Sequence, residues 1–172
     1  DASILFKNPS FTAIVRRFLA QPADAGARRQ ILDWLGKYPG AYGYNQVRLI
    51  DARGVTRLSI PDEVHPAAST TVQTVAEVLR SGRITFQDLY RNEYDHQIYL
   101  AVAIPLFDEL DASRPLGVVN LRIKAAHYLF PFIQKWPVPT ESGETLLIRR
   151  EGDAALYLND LRFRPNAALE MR

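Results

Sequence analysis

The chain contains no cysteine, which excludes disulfides and cysteine-based metal or redox sites. No stretch approaches the roughly 20 consecutive apolar residues that a transmembrane helix needs, and no signal peptide is recognisable. Because the chain begins at Asp1 and not at Met, we expect a mature form or an excised part of a longer protein. The missing targeting segments therefore say nothing about where that protein is located.

Neither sign of charge dominates the 172 residues. Lys and Arg number 21 against 19 Asp and Glu, which gives a net charge of +2. Nucleic-acid-binding domains present a clustered basic face, so this balance argues against a nucleic-acid partner. The hydrophobic content of 47% is enough for the core of one ordinary domain, with room for the start of a second.

Signatures of catalysis and metal binding are also missing. No serine stands in a nucleophile elbow, and no glycine-rich phosphate loop is present. The histidines His65, His96 and His127 are far apart, and none has a second ligand at metal-site spacing. We therefore expect no enzyme active site, no metal site and no cofactor in this chain.

The most apolar part of the sequence predicts two neighbouring central strands. Gln97–Phe107 and Pro115–Ile123 are rich in β-branched and aromatic residues, and the acidic turn Asp108–Arg114 joins them. Runs of this kind are typical of strands in a sheet that is covered on both faces.

Two amphipathic helices are predicted before these strands. Asn8 and Pro9 form a helix start, and the apolar stripe that follows ends near Gln21. Asp24 is the expected cap of the second helix, which we expect to end at Pro39-Gly40. Each helix has one apolar stripe, so both can lie on one face of a sheet.

Further strands and a crossing helix complete the predicted sheet. Tyr44–Asp51 and Val55–Ile60 form a hairpin across the turn Ala52–Gly54. A loop then leads to a helix that ends at Ser81-Gly82, and Ile84–Arg91 follows as the third strand. The result is an α+β domain with a five-stranded antiparallel sheet of the PAS type and the N-terminal helices on one face.

The last part of the chain predicts a domain boundary. A helical pattern over 125–136 contains Pro131, which should kink or split it, and a proline-containing linker follows. A C-terminal hairpin over 144–158 has no partner in the sheet, so we interpret it as the opening hairpin of a second, truncated subdomain. The predicted domains are residues 1–137, with helices over 9–38, sheet and crossing helix over 44–123 and exit helix over 125–136, and residues 138–172.

This order of elements resembles the extracytoplasmic Cache (PDC) sensor domains of bacterial membrane receptors. The segments that carry the resemblance are Tyr128–Pro137, Gly143–Asp153, Leu156–Arg162, the hairpin at Ile50–Gly54 and the pair formed by Pro105 and Pro115–Val119. They are similar to the junction of the two subdomains in double-Cache sensors of PAS-containing histidine kinases and diguanylate cyclases. The likeness covers nearly the whole chain.

The resemblance implies both a topology and a function. The strands would lie in the order 2-1-5-4-3, in a periplasmic domain of a membrane-anchored, homodimeric signal-transduction protein. A bound small molecule would shift the population of states, and the helix Pro9–Leu19 would relay that shift to a cytoplasmic output. The tyrosine, arginine, tryptophan and aspartate cluster of the amino-acid-binding Cache receptors is missing here, so an amino-acid ligand is not supported.

Candidate ligand-binding residues follow from strand alternation. Tyr99 shares a face with the small Ala101 and Ala103, beside Asn120 and Arg122 on the next strand. The Arg122 guanidinium could fork onto a ligand carboxylate. Further candidates are Asp88, Tyr90 and Arg91 on the third strand, and His96 at the mouth of the pocket.

Two interpretations in which no ligand binds stay open beside the sensor hypothesis. Tyr99 could simply pack, with Arg122 paired to a carboxylate near the end of the sheet. The whole chain could then be a PAS-like interaction or dimerisation module that binds no ligand.

Overall fold

The helices and strands follow the predicted order. The computed structural model describes residues 8–62, 65–134 and 143–172. The elements are α1 Pro9–Ala20, α2 Ala25–Leu35, α3 Lys37–Tyr42, β1 Gln46–Asp51, β2 Thr56–Ile60, α4 Ser69–Ser81, β3 Thr85–Arg91, β4 Ile98–Phe107, β5 Pro115–Lys124, the 3-10 turn Ala125–His127, α5 Leu129–Gln134, β6 Ile148–Glu151 and β7 Ala154–Tyr157. Within the described residues, every helix is too short or too polar to span a membrane.

The predicted caps start the first two helices. The Phe11 amide donates to Asn8 Oδ1 at 3.1 Å, and the Ala27 amide donates to Asp24 Oδ1 at 2.9 Å. Each cap satisfies one of the amide groups that lack a partner inside the first turn of a helix. Both predicted helix starts are confirmed.

The predicted end of the second helix is wrong. Helix α2 ends at Leu35, and a further short helix, α3, runs through Pro39-Gly40 to Tyr42. Gly36 stays in the right-handed helical region (φ −64°, ψ −14°), so the chain continues into another helical turn. Pro39 is the third residue of α3, where its missing amide hydrogen would have no partner inside the helix. The N-terminal helices therefore extend beyond the predicted limit of residue 38.

The main sheet has the order β2-β1-β5-β4-β3, with every neighbouring pair antiparallel, which confirms the expected topology. Helices α1 and α2 cover one face, where Phe11 and Ile31 pack with Leu49, Ile104 and Leu121 in the largest hydrophobic cluster. Helix α4 crosses the other face and packs Val75 and Val78 against Ile50, Ala103 and Val118. Different helices therefore cover the two faces of the sheet, as the apolar sequences of the central strands predicted.

The helical segment that follows the sheet is split into two pieces, as the presence of Pro131 predicted. The 3-10 turn ends at His127, and α5 begins at Leu129 with Pro131 as its third residue. Trp136 and the linker of residues 137–142, with its prolines, lie outside the described residues. Strands β6 and β7 form a separate hairpin, whose Leu156 packs with Leu89 and Ile98 of the main sheet. The division into two domains at residue 137 stays a prediction.

Asp51 holds the β1–β2 turn and is expected to make stability depend on pH. Its carboxylate accepts hydrogen bonds from the amides of Arg53 and Val55 and from Arg57 Nε, at 2.9, 3.0 and 2.8 Å. Burial acts to raise the pKa of Asp51, but these hydrogen bonds and the charge of Arg57 outweigh burial and lower the pKa. A lowered folded-state pKa stabilises the fold above the unfolded pKa, about 3.9, and this stabilisation is lost as the pH falls through the folded pKa.

We therefore expect urea-unfolding stability to decrease on acidification below about pH 4. Asp51→Asn should lower stability by about 1–3 kcal/mol at pH 7 and make the acid loss smaller. The acid loss should not vanish, because the pKa values of Asp24, Asp95, Glu109, Asp111 and Glu151 are lowered too. An unchanged acid limb in Asp51→Asn would contradict this role.

Candidate ligand site

A row of buried polar side chains crosses the face of the sheet under α4. We call these residues the polar patch: Gln46, Arg48, Gln87, Asn120 and Arg122. The register aligns Gln46 with Arg122 and Arg48 with Asn120 on neighbouring strands. On the other side, Ala101 lies between Arg122 and Gln87. The antiparallel register therefore gathers polar groups from β1, β3 and β5 on one face.

Two guanidinium groups give the polar patch a positive charge. Arg48 is 0% exposed, and its Nε donates to Gln46 Oε1 at 2.6 Å. Arg122 is 3% exposed, and its guanidinium carbon lies 3.9 Å from the centre of the Tyr99 ring. Buried arginines are uncommon and need anionic or hydrogen-bonding groups around them, and the planar guanidinium fits a carboxylate in a bidentate way. The patch is therefore suited to an anion.

Tyr99 links the patch to a half-buried carboxylate, that of Asp95. Its hydroxyl donates to Asp95 Oδ2 at 2.6 Å. Burial acts to raise the pKa of Asp95, but the hydrogen bonds from Tyr99 and the Gln97 amide and the charges of Arg122 and Lys124 outweigh burial and lower the pKa. Asp95 is therefore ionised near neutral pH, and it fixes the ring on which Arg122 stacks.

A cavity of about 370 Å³ lies at one end of the polar patch. Gln46, Tyr99, Arg122 and Lys124 are among the residues that border it. A larger groove of about 530 Å³ runs along α1, but none of its lining side chains is buried. Small-molecule sites combine a concave surface with a few convergent polar groups, so the cavity at the patch is the better candidate.

The structure brings together some of the predicted site residues. Tyr99, Asn120 and Arg122 share the face of the patch, and the Tyr90 ring lies 6.3 Å from the Tyr99 ring on the same face. The Tyr90 hydroxyl also lies 3.5 Å from Thr71 Oγ1 in α4, the helix that covers this face. A ligand-binding role for these residues stays a prediction.

The structure does not bring Asp88, Arg91 and His96 to the patch. Asp88 pairs with Arg149 of the C-terminal hairpin at 3.0 Å. Arg91 donates to the carbonyls of His96 and Ala168 at 3.0 and 2.7 Å, which ties it to the C-terminal segment. The His96 side chain is exposed. Asp88 and Arg91 therefore connect the main sheet to the residues after 143.

Sequence reasoning missed Gln46, Arg48 and Gln87. The alternation of Gln46, Val47, Arg48 and Leu49 puts both polar side chains on one face of β1. In the order 2-1-5-4-3, β1 lies beside β5, so this face could have been aligned with Asn120 and Arg122. Gln87 carries no such signal, because its orientation depends on a register shift in β3 between Gln87 and Tyr90. Among the described residues, no group of three or more acidic or histidine side chains could hold a metal.

Comparisons with solved structures identify proteins that share this fold. No protein-family model and no curated protein matches the chain. The sensor domain of the V. cholerae histidine kinase DctB matches with a TM-score of 0.57 and 14% identity, over 81% of this chain and 50% of that one. The ligand-binding domain of the Campylobacter jejuni chemoreceptor Tlp3, in complex with 4-methylisoleucine, matches with a TM-score of 0.53 and 13% identity, over 86% and 75%.

The TM-scores of the DctB and Tlp3 domains show a shared fold. The chain has the α+β fold of Cache-type sensor domains, and the expected resemblance is confirmed at that level. A further solved structure, the ligand-binding domain of the Pseudomonas aeruginosa PAO1 amino acid chemoreceptor PctC with GABA, has a TM-score of 0.47 and 19% identity, over 67% of this chain and 54% of that one. The chain spans about half the length of the DctB and PctC domains.

Proposed function

We propose that this chain is the extracytoplasmic ligand-sensing domain of a membrane-anchored signal-transduction protein, and that it binds a small carboxylate at the polar patch. The observation that carries the proposal is the burial of Arg48 and Arg122 together on one face of a sensor-type sheet. The Tlp3 domain of the same fold holds a small molecule, which supports ligand binding as the role of the fold. The fold alone does not determine function, so the site carries the argument.

The same proposal includes an output and a location. The domain itself would be non-catalytic, in a periplasmic position, and the parent protein would be a histidine kinase, as DctB is, or a diguanylate cyclase. A ligand that prefers one arrangement of sheet and helices would shift the population of states. Helix α1 would pass this shift toward the membrane, because it packs directly on the sheet through Phe11, Val15 and Phe18.

Thermal unfolding in the presence of small carboxylates tests the proposal. A true ligand at about one hundred times its Kd should stabilise the domain by about 2.7 kcal/mol, which is roughly 5–10 °C for a chain of this size. Arg48→Met and Arg122→Met should weaken that ligand at least about 30-fold, because each removes a buried charge partner of the carboxylate. Isothermal titration would then give the Kd of each variant.

Arg29→Met is the matched control, because it makes the same chemical change on the exposed surface of α2. Binding should be unchanged in this variant. If Arg29→Met weakens a ligand as much as Arg48→Met does, that ligand binds through general charge and not at the patch. If no small carboxylate shifts the unfolding midpoint, the proposed ligand class is wrong.

A second candidate function is a PAS-like interaction module without a ligand. It is favoured by the packing of α4 on Ala103 and Val118, which closes part of the same face. In that case the wild-type chain would ignore the carboxylate panel and would instead associate with a partner or with itself. Sedimentation of the chain at several concentrations, with and without the panel, separates the two functions.

A further inference from the structure

Strand β3 contains a bulge where it meets residues 143–172, which we call the C-terminal segment. Between Gln87, aligned with Ala101, and Tyr90, aligned with Tyr99, β3 has two residues and β4 has one. A bulge interrupts the ladder of hydrogen bonds, and its alternative is the regular register, in which every side chain beyond this point changes face. The strand therefore has two discrete arrangements.

The bulge decides which β3 side chain reaches the polar patch. With the bulge, Tyr90 lies on the side of the patch, 6.3 Å from Tyr99 between ring centres, and Leu89 lies on the opposite side. Without it, strict alternation from Gln87 would turn Leu89 toward the patch and Tyr90 away from it. Because Arg122 stacks on the Tyr99 ring at 3.9 Å, the register of β3 affects the surroundings of a residue in the proposed ligand site.

The two residues of the bulge are held by the C-terminal segment. The Asp88 carboxylate accepts the Leu89 amide through Oδ1 at 2.7 Å and pairs with Arg149 through Oδ2 at 3.0 Å. Arg149 Nη1 also donates to the Leu89 carbonyl oxygen at 3.4 Å. Within the described sheet, neither Asp88 nor Leu89 is aligned with a residue of β4. These hydrogen bonds therefore satisfy backbone groups that the ladder leaves out.

Apolar packing and a second arginine support the same register. The buried Leu89 side chain belongs to the cluster that contains Leu156, Leu158 and Ala168 of the C-terminal segment. In the regular register this side chain would leave the cluster and turn toward the patch. Beyond the bulge, Arg91 donates to the Ala168 carbonyl at 2.7 Å. Docking of the C-terminal segment therefore stabilises the bulged register relative to the regular one.

We infer that the C-terminal segment is an effector element of the ligand site: its docking holds the bulge in β3, and the bulge places Tyr90 against Tyr99. This inference goes beyond the proposed function, because it concerns the state of the site and not the ligand that fills it. Coupling between two sites is reciprocal, so a ligand that contacts Tyr99 and Arg122 would in turn strengthen the docking of the C-terminal segment. The domain would then have a second path for its response, beside α1.

Arg149→Met tests the inference from the side of β3 that does not face the patch. The variant should fold, because Arg149 is only half-buried. In NMR spectra of tyrosine-labelled protein, the NOE between the Tyr90 and Tyr99 rings should fall to about half of its wild-type intensity or less. Arg150→Met is the matched control, because the Arg150 side chain is exposed and donates to the Gly152 carbonyl of its own hairpin. The NOE should be unchanged in this control.

Tyr90→Leu tests the coupling in the opposite direction. Ala168 is buried, and its amide donates to Asp160 Oδ1 at 3.0 Å within the C-terminal segment. Loss of the Tyr90 ring should destabilise the bulge from the patch side, so hydrogen exchange of the Ala168 amide should accelerate at least about fivefold. Val75→Ala is the control, because it truncates a buried side chain of α4 over the same face. It should change that exchange rate by less than about twofold.

Three results would overturn the inference. The first is a wild-type NOE in Arg149→Met, and the second is an equal loss of the NOE in Arg149→Met and Arg150→Met. The third is an unchanged exchange rate of the Ala168 amide in Tyr90→Leu. Neither measurement uses a ligand, so these failures would leave carboxylate sensing standing. Conversely, a protein that ignores every carboxylate but shows the expected NOE and exchange changes would leave this inference standing.

Discussion

Gly117→Ala is expected to destabilise the protein by roughly 3–5 kcal/mol, one of the largest effects of any single methyl group in this chain. Gly117 lies in β5 with φ +155°, a conformation that other residues rarely adopt. A Cβ atom there would overlap the carbonyl oxygen of Ile50 and lie 2.9 Å from the Cα of Asp51. Both contacts are backbone atoms of β1, so relief requires that the two strands move apart.

Gly152→Ala is the matched control for this prediction. Gly152 also has a positive φ, +60°, in the exposed turn of the C-terminal hairpin, but a Cβ there would meet nothing within 4 Å. Its substitution should therefore cost only the backbone strain of a left-handed residue, about 1–2 kcal/mol. Urea unfolding of both variants measures the difference, and similar losses in the two would show that crowding between β1 and β5 is not limiting.

Local signals in the sequence were enough to predict most of the elements. The caps Asn8 and Asp24, the turn at Ala52–Gly54 and the helix end at Gly82 each depend on a few neighbouring residues, and the structure shows all of them. The order of the strands could not come from local patterns. It came from the family resemblance, because pairing between β1 and β5 joins residues about 70 positions apart.

The candidate site was predicted only in part, because strand irregularities change which side chains share a face. Simple alternation puts Asp88 and Tyr90 on the same side of β3. The register shifts between Gln87 and Tyr90, so Gln87 faces the patch with Tyr90 instead. A bulge of this kind adds residues to one strand, and nothing in this stretch of sequence marks it. Asp88 is then free to pair with Arg149.

The two sides of β5 explain how the site could influence α1. Asn120 and Arg122 face the polar patch, while Val119 and Leu121 alternate with them and belong to the cluster that includes Phe11 and Val15 of α1. Strand β5 therefore contacts the proposed ligand on one face and the proposed relay helix on the other. A small rearrangement of this strand has a direct route to α1 without any intermediate element.

Phe11→Asp is expected to lower stability by at least about 4 kcal/mol and can leave the chain unfolded. The Phe11 side chain is 0% exposed, its ring centre lies 5.5 Å from that of Trp34, and it packs in the largest hydrophobic cluster. The substitution removes this packing and places a carboxylate where no cation is available among the residues of the cluster. Urea unfolding followed by circular dichroism measures the loss.

Ile14→Asp separates packing within the chain from pairing between chains. Ile14 is only half-buried and lies beside Arg17 in the groove along α1, so a carboxylate there can reach water. The monomer should lose no more than about 1.5 kcal/mol, less than half the loss in Phe11→Asp. If α1 pairs with α1 of a second chain, sedimentation should show that Ile14→Asp is monomeric at concentrations where the wild type is dimeric. A dimer that survives in Ile14→Asp would place the interface elsewhere and would leave α1 with a core-packing role alone.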